Sequence, residues 1–174
     1  MKASIALPLA LVLGGLAACS PTFDWRETAA VGSGVVAMFP CSPDRHARTV
    51  ELAGSKLSME MLVCPAGGAT YALSFADVPE PALVSTALAE LRAAALRNVR
   101  AEPPQVVPAQ ISGMTPNPQA VRVSALGHLP DGAAVQEHAV FFAKGLRVYQ
   151  GSVIGAKPAA EASEIFLTGF KFPA

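Results

Sequence analysis

The stretch EPALVSTALAELRAAALRNV, residues 80–99, changes the period of the chain, and nothing else in it so narrows the folds available. Before and after it, apolar residues alternate at a spacing of two, the spacing at which a strand turns its side chains to one face of a sheet. Within it, Leu83, Ala87, Leu88, Leu91, Ala94 or Ala95, and Val99 recur at three and four, with Glu90, Arg92 and Arg97 between them. That is the repeat of an amphipathic helix, and Pro81 falls where a first turn tolerates a residue without an N–H. One long helix thus separates two groups of strands, and its Ala-rich stripe is a face for packing on a sheet.

The joints within each group are too short for the crossover that a parallel pair needs, so both groups are expected to be antiparallel meanders. The first comprises GVVAMFPCSP, an apolar run stopped by Pro40, then HARTVEL and KLSMEMLVC joined at AGSK, and ATYALSFADV after the turn PAGG. The second comprises QAVRVSALGHL, AAVQEHAVFFA and LRVYQGSVIGA, with PDG and KG as hairpin turns. KPAAEASEIFLTG predicts a short helix with Pro158 at its start, Ala162, Ile165 and Phe166 on one face, and Gly169 as its stop. FKF predicts a last short strand. The expected fold class is therefore α+β: an antiparallel sheet built from two meanders, with one long helix and one short C-terminal helix. RAEPPQVVPAQISGMTPNP, ahead of the second meander, carries five prolines and is expected to be loop or edge strand.

Lys2 is the only charge before Asp24, and residues 3–18 are almost wholly apolar, the order of a secretory signal. The apolar run is broken by Pro8, Gly14 and Gly15 and stops short of the roughly 20 residues that a membrane-spanning helix needs. Its end, Leu16, Ala17, Ala18 and Cys19, resembles the lipobox of bacterial lipoproteins. The resemblance implies cleavage before Cys19 and a diacylglycerol thioether on its sulfur. With Ser20 rather than an aspartate following, it also implies sorting to the outer membrane, facing the periplasm. Residues 1–18 are then a lipoprotein signal peptide, 19–33 a lipidated tether and 34–174 a single α+β domain. Each acyl CH₂ buried in lipid contributes about 0.8 kcal/mol, so such an anchor is permanent. Trp25, beside Arg26, is expected either at the lipid interface or tucked against the domain. The 13 Lys and Arg balance 13 Asp and Glu without forming a basic run, which argues against nucleic acid as a partner and leaves the lipid as the only expected membrane contact.

Setting Cys19 aside leaves Cys41 and Cys64, an even pair in a chain expected to reach an oxidising compartment, so one structural disulfide is expected. The pair lacks C-x-x-C spacing, and His46 alone completes no ligand set. Neither metal nor cofactor is expected.

The early MFPCSP, the hairpin series, the long helix, GLRVYQGSVIG and the closing EASEIFLTGFKF together resemble the PsbP and Mog-like fold, named from a photosystem accessory protein and a Ran-binding protein. The likeness extends in particular to that fold's bacterial envelope lipoproteins, and it covers roughly residues 30–174. It lies in strands and turns rather than in chemical groups. It implies an accessory or binding protein and carries no catalytic residue across.

Few residues suggest chemistry. His128 and His138 lie on strands joined by the PDG turn, where the partner of His128 is expected at 135–137, and Glu137 points away from His138. Ser33 in GSG lacks the form of a nucleophile elbow and leads into a strand, so it is read as a flexible entry. Asp44, Arg45, His46 and Arg48 form a charged cluster that either grips an anion or is a solvated turn. Phe141 and Phe142 must face opposite sides of the sheet. A non-catalytic accessory or binding module for another envelope component is therefore expected. Its envelope protein partner would be met through residues 101–118 and an exposed sheet or helix face. The alternative is a small-ligand or lipid-binding module, because two apolar layers can part to leave a pocket; a hydrolase ranks below both.

Overall fold

The computed structural model describes residues 22–29 and 32–173. Cys19, with the signal and lipidation expectations attached to it, lies outside them. The elements are β1 (Arg26–Ala29), β2 (Val36–Phe39), β3 (Asp44–Leu52), β4 (Ser55–Ala66), β5 (Ala69–Asp77), a 3₁₀ turn (Pro81–Leu83) leading into α1 (Val84–Asn98), β6 (Gln105–Pro108), β7 (Val121–His128), β8 (Ala134–Lys144), β9 (Arg147–Gly155) and α2 (Ala160–Thr168). The class is α+β, and β6 is the edge strand expected in the Pro-rich segment.

Strands β3 to β9 form one antiparallel sheet in the order β3-β4-β5-β9-β8-β7-β6. Two meanders run toward each other and meet where β5 pairs with β9, from Ala69 opposite Gly155 to Asp77 opposite Arg147. The β3–β4 turn is closed by Ala53 and Gly54, both at positive φ (50° and 72°), as the mirror-image turns of tight hairpins require.

GVVAMFPCSP does not join this sheet. Its strand β2 pairs with β1, Arg26 opposite Phe39, so the expected four-strand first meander is a three-strand meander plus a separate hairpin. The cause lies in residues 22–29, read from sequence as tether. Ala37 and Phe39 bury completely against the large sheet, and the polar RETA segment closes the outer edge of β2. Trp25 packs edge-on to Tyr71, ring centroids 6.4 Å apart, which is the second of the two positions expected for it.

Strand alternation feeds two cores. On one face α1 buries Val84, Ala87, Leu88, Leu91 and Ala95 against Met59, Ala76, Val123, Ala139, Phe141 and Val148. On the other, the β1–β2 hairpin and α2 cover Leu62, Tyr71, Leu73, Phe142, Tyr149 and Val153. Phe141 and Phe142 are both fully buried, one in each core. α2 buries Ala162, Ser163, Phe166 and Leu167, while Ile165 is 36% exposed. The expected stripe is thus rotated, because Phe166 and Leu167 together fill the core while Glu164, on the outer side, accepts two hydrogen bonds from Arg122 of β7 at 3.0 and 2.6 Å. FKF makes only isolated bridges, Lys171 with Val36 and with Ser112. Cys41 and Cys64 are joined by a disulfide, with Cα atoms 5.9 Å apart, which ties the chain after β2 to β4.

Candidate ligand groove

Two contacts set the path of α1 across the sheet. At its C-terminal end the His128 N–H donates to the Val99 carbonyl at 2.6 Å and the Glu102 N–H to the Leu126 carbonyl at 2.8 Å. This close approach is possible because residue 127 is glycine: a Cβ there would lie 2.1 Å from the Val99 oxygen. The end of the helix is therefore drawn toward β7, away from β4 and β5. Midway along, the Glu90 carboxylate accepts the Ala53 N–H at 2.7 Å, which holds the β3–β4 turn against the helix. Between these two fastenings a groove of about 640 Å³ opens, within the range of small-ligand sites.

Leu91, Ala94, Arg97 and Asn98 of α1 form one wall and Arg48, Val50 and Leu52 of β3 the other; β4, β5 and β9 supply the floor. On the floor Met61 stands opposite Ser74 and Val63 opposite Ala72, and across the next seam Ser74 faces Gln150, Ala72 faces Ser152 and Thr70 faces Ile154. Among the described residues the side chains of Thr70, Ser74, Gln150 and Ser152 have no hydrogen-bond partner. A sheet face under a helix is ordinarily apolar. Four neutral polar groups with open hydrogen-bonding capacity can instead meet a bound molecule.

Glu137 lies one strand beyond this floor, opposite Ile154 of β9 and Ala125 of β7. It is 1% exposed, its Oε2 has no hydrogen-bond partner, and burial pushes its carboxyl up to about 7. It is outside the lining of the groove.

The residues singled out in the sequence are dispersed. His128 faces Ala134 and His138 faces Ser124. The expected partner of His128, at 135–137, is displaced by one residue because the connection spans 129–133, closed by the Leu129 N–H on the Ala133 carbonyl at 2.9 Å. The two histidines are four ladder positions apart, roughly 13 Å, and cannot share an ion. His138 Nδ1 meets the Ser124 hydroxyl at 3.0 Å; burial, and then the Arg122 charge, lower its pKa. Among the described residues no three metal-ligating groups come together. Ser33 is fully buried; its Oγ accepts from the Val35 N–H at 3.1 Å and its carbonyl accepts the Tyr149 hydroxyl at 2.6 Å. It is a fixed point of the fold rather than a flexible entry. Asp44, Arg45, His46 and Arg48 sit on strand β3 instead of a turn, because β4 is long enough to pair with all of it. Arg45 forms an ion pair with Glu60, and of the four only Arg48 lines the groove. In the Pro-rich connection, Val106 and Val107 on β6 are 47% and 54% exposed.

The groove itself was missed by sequence reasoning. Its signal lies in β5 and β9, where Tyr71, Leu73 and Phe75 alternate with Thr70, Ala72 and Ser74, and Tyr149 and Val153 with Gln150 and Ser152. Such a pattern reads as a strand with one solvated face. Only the position of α1 turns that face into the floor of a concave site.

No protein-family model matches the chain, and no curated protein matches it significantly. Among the described residues no helix is long and apolar enough to cross a membrane.

Proposed function

We propose that the protein is a non-catalytic binding module of the bacterial cell envelope, anchored through lipid on Cys19 at the outer membrane and facing the periplasm, and that it takes a small ligand in the groove between α1 and the sheet. The observation that carries this reading is the set of polar side chains without hydrogen-bond partners among the described residues, Thr70, Ser74, Gln150 and Ser152, on the floor of a concave site whose walls carry both apolar and charged side chains. Thr70 is exposed and Ser74 and Gln150 are half-buried, so these groups are open to a ligand, and one that displaces solvent from them must supply hydrogen bonds of its own. The lining contains neither histidine nor cysteine, so Ser74 and Ser152 have no imidazole base beside them, which supports binding rather than hydrolysis. The Cys41–Cys64 disulfide suits an oxidising compartment. The order of strands and helices supports the resemblance to PsbP and Mog-like domains, whose members are mostly accessory proteins.

Native mass spectrometry of the intact protein from its own cells tests this reading. A discrete added mass, absent when Ala94→Phe fills the groove, is the expected result. An unliganded protein, with a cellular phenotype unchanged by the same substitution, would overturn it. A second reading, docking of an envelope protein, is favoured by one observation: the edge strand β6 exposes Val106 and Val107, and Leu126 beside it is 54% exposed. A partner retained in crosslinking by the native chain, and lost when residues 101–118 are replaced by a neutral linker, would support it.

A further inference from the structure

Resting on the reading of the groove as a ligand site, we propose that the ligand is a short zwitterionic peptide, lying extended with its ammonium group toward Glu90 and its carboxylate toward Arg48 and Arg97.

The rim carries three charged side chains, and they are segregated by sign. Glu90 and Arg97 belong to α1 and line the groove; seven residues of helix set them about 10 Å apart. Arg48 belongs to β3 and lines it from the other side, on the same face of the strand as Val50 and Leu52. The two walls are in register, because Glu90 holds the Ala53 N–H and so brings the β3–β4 turn level with itself. From that point the helix runs to Arg97 and the strand runs back to Arg48 in the same direction, which places the carboxylate at one end of the groove and both guanidiniums farther along. Among the described residues Arg48, Glu90 and Arg97 have no ion-pair partner. The charges are therefore available to a ligand instead of to each other.

A separation of about 10 Å is the length of roughly three extended residues. Between the charged ends, the floor supplies what peptide units need: hydroxyl and amide groups on Ser74, Gln150 and Ser152 that both donate and accept. Met59 and Met61 line the same floor, and their unbranched, adaptable side chains admit apolar residues of differing size. The lining also argues against two other classes of ligand. An acyl chain would leave the three polar side chains unsatisfied, and without an aromatic side chain neither a sugar nor a base finds a stacking face.

Calorimetry on the full chain in nanodiscs, titrated with the tripeptide Ala-Val-Ala, its N-acetylated and C-amidated forms, and dodecanoate, tests the proposal. The free tripeptide is expected to bind, and each capped form to bind about five- to tenfold more weakly. Arg48→Gln with Arg97→Gln should abolish the discrimination against the amide, and Glu90→Gln, whose amide oxygen can still accept the Ala53 N–H, should reduce the discrimination against the acetyl form. All three positions are exposed, and unchanged melting curves would verify that the variants fold. Binding of dodecanoate, or of tripeptide indifferent to capping, would overturn the ligand class while leaving the groove as a site. The absence of binding by every probe, or tripeptide binding that survives Ala94→Phe, would overturn both.

Discussion

Glu137 and His138 are consecutive on β8 and face opposite layers of the protein, the first beneath α1 with 1% of its surface exposed and the second beside the Ser124 hydroxyl. Burial shifts both pKa values toward the neutral form, the carboxyl from 4.5 up to about 7 and the imidazole below 6.5.

Their effects on stability run in opposite directions. Glu137 ionises near 4.5 in the unfolded chain but only near 7 in the fold, so folding takes up a proton across that window. The associated stability is fully present below 4.5, falls as pH rises, and levels off above 7, a change of at most about 3 kcal/mol. Glu137→Gln is expected to remove that fall, so its advantage over the native chain should grow from pH 4.5 to pH 8. His138 acts in reverse: the unfolded chain takes up a proton below 6.5, and stability is lost as pH falls through the depressed folded value. His138→Gln should recover stability on the acid side. Urea denaturation at a series of pH values reads both, and a Glu137→Gln curve parallel to that of the native chain would show that the carboxyl is not desolvated as described.

Gly127→Ala should loosen the end of α1. The added methyl group would meet the Val99 carbonyl oxygen at 2.1 Å and Cα of Ala101 at 3.3 Å, and these are backbone atoms that no rotamer change can move aside. A cost of about 1–3 kcal/mol is expected, with faster hydrogen exchange at the His128 and Glu102 amides, whose bonds to Val99 and Leu126 depend on that approach. Melting and exchange unchanged by the substitution would mean that the helix end is not pinned there.

The period change at residues 80–99 set the helix, and the turn residues set most of the hairpins, because both depend on local spacing. What depended on distant partners was less legible. Residues 26–29 carry no apolar alternation and become a strand only because β2 lies beside them. The rotation of α2 depends on which core Phe166 and Leu167 enter. The groove is the extreme case. Ser74 and Gln150 look like solvated strand positions, and it takes the tether of α1 to β7 through Val99 and the hold of Glu90 on Ala53 to make them the floor of a site. The disulfide was legible from the three cysteines once Cys19 was set aside for lipidation, because parity then leaves one pair without reference to shape.

Reduction should weaken the fold appreciably. The bridge between Cys41 and Cys64 closes a separation of 23 residues, worth about 3 kcal/mol in the chain-entropy account. For a domain of this size that corresponds to about 6–12 °C in melting temperature. Cys64 is fully buried whereas Cys41 is only partly buried, so a reductant that attacks the folded domain should do so at the Cys41 sulfur. Melting curves for oxidised protein and for protein reduced in the unfolded state and then refolded measure the difference. Coincident curves would show that the bridge adds nothing to a fold already held by its two cores.

A purely structural floor and a ligand-binding floor respond oppositely to apolar substitution. If Ser74, Gln150 and Ser152 serve only the fold, their side chains are solvated surface, and replacing them changes stability by no more than about 0.5 kcal/mol. As a floor partly shielded by α1, with no internal hydrogen bonds among the described residues, they hold a conformation that favours binding over stability. Gln150→Leu and Ser74→Val, singly and together, are therefore expected to raise stability by about 0.5–2 kcal/mol while weakening capture of whatever the native protein retains. The double variant should show a coupling, because the two residues are cross-strand partners. Denaturation and native mass spectrometry on the same preparations read both effects. A stability gain with retention intact would place the ligand elsewhere, whereas loss of stability would mean that these side chains make bonds the fold requires.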